Sequence, residues 1–84
     1  MSYALLILPR AERELAALDS TSFKAVKKKI YALGEDPRPP GCRKLRDLPA
    51  WRVRAGDYRI VYEIDNAARR VMVLRVGHRK EIYR

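Results

Sequence analysis

From Trp51 to Ile64 the chain reads WRVRAGDYRIVYEI, with apolar and polar residues alternating on either side of a Gly-Asp pair. A period of two belongs to a strand with one buried and one wet face, so the stretch reads as a β-hairpin. Trp51, Val53 and Ala55 fall on one face of the first strand, Arg52 and Arg54 on the other, and Gly56-Asp57 makes the turn. Tyr58, Ile60, Tyr62 and Ile64 alternate with Arg59, Val61 and Glu63 in a return strand rich in aromatic and β-branched residues. Three arginines are thereby fixed to paired strands. Guanidinium groups on so rigid an element suit a site that holds a polyanion in one geometry.

The rest of the chain supplies what this hairpin packs against. Tyr3 to Leu8 is a continuous apolar run ended by Pro9, as expected of a strand covered on both faces. Arg10 to Leu18 follows with strong helix formers and with Ala11, Leu15 and Leu18 on one face. Asp19 to Ser22 is dense in N-cap residue types. After it, Phe23, Val26, Ile30 and Leu33 recur at helical spacing up to Gly34, which reads as the end of a second helix. The proline-rich Asp36 to Gly41 is a stiff crossing loop, and the basic stretch from Arg43 to Pro49 leads to the hairpin. Asp65 to Ala68 turns the chain into a last strand from Arg70 to Val76, with Gly77 expected to break the pattern. The order strand-helix-helix-strand-strand-strand predicts an α+β fold. Its two helices pack on one face of a mainly antiparallel four-stranded sheet, and the other face stays at least partly open, where Arg52 and Arg54 can point.

Eighty-four residues suffice for a single domain, 1–84. Nineteen Lys and Arg against ten Asp and Glu give a net charge of +9, the footprint of a chain that meets phosphate or an acidic partner, or else of a solvated basic surface. The lone Cys42 excludes a disulfide framework and a cysteine-rich metal site, and fits a reducing, cytoplasmic setting. No apolar stretch is long enough to span a bilayer, and no membrane partner is expected. His78 is the sole histidine, so a two-histidine nuclease and a histidine metal cluster are both excluded; no serine or cysteine has a matching base. No cofactor or metal is implied.

What remains is cationic. Arg52, Arg54 and Arg59 in the hairpin, with Arg75 and Arg79 at the end of the last strand and Tyr83 in the tail, can orient an RNA phosphate and stabilise the extra charge of a phosphorane. Further candidate nucleic-acid contacts are Lys27 and Lys28 on the second helix, Arg43 and Lys44 before the hairpin, Arg75 and His78. The same residues fit a phosphate-binding surface with no chemistry equally well.

WRVRAGDYRIVY (51–62) followed by VGHRKEIY (76–83), with DPRPPG and the opening YALLILPRAERELAAL, resembles the RelE/ParE superfamily of toxin–antitoxin toxins over nearly the whole chain. The resemblance implies a RelE-like fold and a cytoplasmic toxin that enters the ribosomal A site. There it would cleave mRNA to a 2′,3′-cyclic phosphate and a 5′-hydroxyl, and a cognate RelB-like antitoxin would neutralise it in a hetero-oligomer. It also implies catalytic roles. The family's basic pair falls on Arg52 and Arg54, its phosphorane-stabilising arginine on Arg59, its phosphate-binding arginine on Arg79 and its nucleotide-orienting tyrosine on Tyr83. Relatives carry lysine in the basic pair where this chain has arginine, a side chain that does not readily act as a base. His78 or a group of the ribosome is then the candidate proton acceptor. The ParE branch shares the fold and inhibits DNA gyrase, and a non-catalytic basic binding module is a third reading.

Overall fold

Strand-forming and helix-forming residues segregate along the chain, and the computed structural model, which describes residues 2–81, shows what they build. β1 (Ala4–Ile7) leads into α1 (Pro9–Ala16) and α2 (Ser20–Glu35). β2 (Arg43–Lys44), β3 (Trp51–Ala55), β4 (Tyr58–Asp65) and β5 (Arg70–His78) follow. The strands form one sheet in the order β1-β5-β4-β3-β2, with β1 parallel to β5 and the other pairs antiparallel.

Pro9 occupies the start of α1, where a missing N–H removes no helical bond. Asp19 caps α2 by accepting the Ser22 N–H at 3.3 Å, and hydrogen bonds from Ser22 hold its carboxyl below the usual carboxylate range. Helical spacing then gathers Ala11 and Leu15 of α1 and Val26, Ile30 and Leu33 of α2 against Val53, Ile60, Tyr62, Val71, Val73 and Val76 of the sheet. On the opposite face a smaller cluster joins Ala50 and Val61 to Leu45 and Leu74. No helix among the described residues is long and apolar enough to cross a membrane.

The α+β order and the helices on one face match expectation, but the sheet has five strands where four are expected. The addition is β2, two residues long, which pairs Arg43 with Arg52 and Lys44 with Trp51. The turn that carries Gly41 at φ +89° and bonds the Cys42 N–H to the Pro39 carbonyl at 3.1 Å aims the chain at the edge of β3. Gly77 does not break β5, which runs on to His78 and sets Gly77 opposite Arg59. Nor does Gly34 end α2. It is the point where the helix meets β1, with the Tyr3 N–H bonded to its carbonyl at 2.6 Å and the Tyr3 carbonyl 3.3 Å from where a Cβ would sit. α1 ends at Ala16, short of the expected Leu18.

The proline-rich loop is tied to the core by Tyr62, a fully buried side chain of β4. Its hydroxyl donates to the Pro37 carbonyl at 2.7 Å, while the Arg38 guanidinium lies 5.2 Å from the Trp51 ring centroid. Burial pushes the Tyr62 phenol well above its ordinary value, because a phenolate would lose its hydration there. The folded state therefore resists an ionisation that the unfolded chain undergoes near pH ~10, so this contribution is complete below that pH and is lost as pH rises through the folded value. Tyr62→Phe is expected to lower the unfolding free energy by about 1–2 kcal/mol at neutral pH and to shrink the alkaline loss of stability. Urea denaturation at neutral and alkaline pH checks this, and an equal alkaline loss in both proteins would contradict it.

Candidate functional site

The hairpin register sets like charges face to face. Arg54 of β3 pairs with Arg59 of β4, and Arg52 of β3 pairs with Arg43 of β2. Opposed like charges destabilise a sheet, so two such pairs in succession mark a surface shaped for something other than stability. Among the described residues no carboxylate forms an ion pair with any of the four. The Nε of Arg59 is buried with no hydrogen-bond partner among the described residues.

β2 reaches only as far as Arg52, so the outer edge of β3 from Val53 to Ala55 has no strand partner among the described residues. A concavity of about 370 Å³ opens at that place, lined by Lys29 of α2, Pro40 and Gly41 of the loop, Arg43, Arg52, Val53, Arg54 and Arg59. Five of the eight lining residues are cations and none is a carboxylate. Such a pocket repels metal ions and attracts phosphate, whose oxygens match the planar fork of arginine. No group of three or more His, Cys, Asp or Glu that could hold a metal ion occurs among the described residues.

The other expected contacts are dispersed. Lys27 places its ammonium 5.3 Å from the Phe23 ring and 5.7 Å from the Tyr31 ring, turned along its own helix. Lys44 donates to the Leu48 carbonyl at 3.1 Å, and Lys28 lines a neighbouring concavity. Arg75 is held by Glu14 of α1 at 3.1 Å, and the same carboxylate accepts the Val76 N–H at 2.9 Å. A register shift between Val61 and Tyr62 of β4 opposite β5 accompanies this bond. His78 meets the Tyr58 ring edge-on at 5.7 Å, and its Nδ1 accepts the Lys80 N–H at 3.2 Å, which puts the neutral ring's proton on Nε2. Arg75 and His78 line a separate concavity that also carries Glu14 and Glu81, so they do not join the arginine cluster. Arg79 is exposed beside the hairpin turn, its N–H bonded to the Asp57 carbonyl at 2.9 Å. Tyr83 lies outside the described residues. Lys29 is the lining residue that reading the sequence undervalues. The signal for it is its i+4 spacing from Ala25, which puts it on the face of α2 that borders β3.

The family model described as ParE toxin of the type II toxin–antitoxin system, parDE, matches residues 5–83. The chain belongs to this superfamily of type II toxin–antitoxin toxins. Its similar relatives carry RelE-type names and place it in the RelE family. Toxin RelG of Mycobacterium tuberculosis is 35% identical over 88 aligned residues, spanning 100% of this chain and 99% of the relative. The mRNA interferase toxin RelE of Escherichia coli is 35% identical, over 99% and 92% of the two chains. In structure, the chain is similar to a chain of the toxin–antitoxin complex RelBE2 of Mycobacterium tuberculosis. The TM-score is 0.84 at 28% identity, covering 93% of this chain and 99% of that one.

If the opposed arginines are kept for ligand binding, removing one should stabilise the free protein. Arg54→Thr is expected to raise the unfolding free energy by a few tenths to about 1 kcal/mol while weakening phosphate binding. Urea denaturation with and without inorganic phosphate checks both halves, and a destabilised variant would contradict the argument.

Proposed function

We propose that this chain is a ribosome-dependent mRNA interferase that cuts mRNA in the ribosomal A site without a metal ion. The observation that carries this reading is the pair of opposed arginines across β3 and β4, Arg54 and Arg59, which line one concavity together with Arg43, Arg52 and Lys29 and with no carboxylate. The substrate's 2′-oxygen attacks the adjacent phosphorus, its proton passes to a base, and the 5′-oxygen departs with a proton, leaving a 2′,3′-cyclic phosphate and a 5′-hydroxyl. The phosphorane between carries more charge than the ground state. Fixed guanidinium groups therefore stabilise it differentially, with no rearrangement at the moment of reaction. Arg59 is assigned to the phosphorane oxygens, Arg52 and Arg54 to alignment of the phosphate for in-line attack, and Arg79, beside the hairpin turn, to the departing side. Tyr83 is assigned to orienting a nucleotide.

His78 sits in a different concavity with Nδ1 occupied by the Lys80 N–H, which favours a proton acceptor supplied by the ribosome. The site acts where mRNA is translated, in the cytoplasm. A cognate RelB-like antitoxin neutralises it in a hetero-oligomer. The net charge of +9 draws in an acidic chain that folds on binding, as disordered regulatory segments do.

Primer extension on mRNA after a brief pulse of expression tests this reading, with wild type compared to Arg59→Ala. Cuts inside translated codons are expected, reduced roughly 100-fold or more in the variant, the scale for one lost oxyanion donor. Uncut mRNA in wild-type cells that nevertheless stop growing would overturn the reading and point to gyrase. Uncut mRNA with normal growth would leave a binding module.

A further inference from the structure

The arginine-lined concavity does not end at Lys29. A second concavity of about 380 Å³ shares Lys29 and Arg54 with it, so the two are contiguous. Lys28, Lys29 and Arg54 line this extension and no carboxylate does. Ala25, Lys28, Lys29 and Ala32 follow the i, i+3, i+4, i+7 pattern that places residues on one helix face. The short alanine side chains and Gly56 leave room between the two lysines and Arg54. Among the described residues none of these three cations forms an ion pair.

RNA carries a charge at every linkage, so a phosphate held by Arg52, Arg54 and Arg59 brings a second charge within reach of whatever basic surface adjoins it. The geometry points to the concavity between α2 and β3 as the subsite for the mRNA phosphodiester next to the scissile one. Lys28 holds that phosphate and Lys29 bridges the two; the assignment rests on the mRNA-cleaving reading above. A phosphate one linkage from the reaction keeps its charge throughout. Its contacts therefore strengthen ground state and transition state alike and act on affinity, not on the chemical step.

The test uses the full-length toxin on ribosomes programmed with an mRNA, measuring single-turnover cleavage as a function of toxin concentration. Lys28→Ala is expected to raise the half-saturating concentration roughly tenfold, the scale of one charge-assisted hydrogen bond, with the loss falling there and not on the maximal rate. Lys28→Arg should restore it. Replacing the flanking phosphodiester of the mRNA by a neutral methylphosphonate should produce the same rise in wild type and no further rise in Lys28→Ala. Two independent, additive losses would overturn the assignment. So would equally weakened binding of Lys28→Ala to ribosomes with no mRNA in the A site, which would place the lysine on ribosomal RNA. If wild type cleaves and Lys28→Ala has the same concentration dependence, the subsite alone is refuted. If wild type leaves the mRNA whole, the function itself is refuted and the subsite with it.

Discussion

The pairing of β4 on both sides is the constraint on which the rest of this molecule depends. β3 and β5 flank it, and its Ile60 and Tyr62 are fully buried against the helices. Because side chains alternate along a strand, burial of Ile60 fixes the direction of Arg59, and burial of Tyr62 carries its hydroxyl to the Pro37 carbonyl. One strand therefore sets a site residue and ties down the loop that contributes Pro40 and Gly41 to the same concavity.

That rigidity allows charges to be placed where they repel. Arg43 facing Arg52 and Arg54 facing Arg59 lower the stability of the free sheet. A core of Val53, Ile60, Val71, Val73 and Val76, closed by Val26, Ile30 and Leu33, holds them there. A bound phosphate would turn the repulsion into attraction, and under the proposed reaction a phosphorane would do so more strongly because it carries more charge. Orientation and charge come from the same groups, and no side chain of the concavity has to titrate for them to act.

The hairpin is legible because its alternation and its Gly-Asp turn are local: β3 spans its half of the pattern, and β4 starts with its half and runs one residue past it, to Asp65. Local pattern could not reveal β2, since two adjacent basic residues show no period and pair only because the Pro39–Cys42 turn directs them to an edge. Gly34 was misread for a related reason. A glycine near the end of a helical pattern signals a cap, whereas here it is set by the approach of β1, a contact distant in sequence. The grouping of Arg52, Arg54 and Arg59 in one candidate site is legible because a single hairpin carries them. Lys27 was not separable from Lys29 in a run of lysines, where helical phase relative to β3 decides which one faces the cluster. Arg75 and His78 were drawn elsewhere by partners on other elements, Glu14 of α1 and Tyr58 of β4.

The central claim is that fixed arginines at the β3 edge catalyse attack by the substrate's own 2′-hydroxyl. Its most direct test replaces the ribose at the cleaved position of a ribosome-bound mRNA by 2′-deoxyribose and examines the ends produced. Loss of cleavage on the deoxy substrate, with 2′,3′-cyclic phosphate and 5′-hydroxyl ends on the unmodified one, is the result the account predicts. Comparable cleavage of both substrates, or 3′-hydroxyl and 5′-phosphate ends, would contradict it.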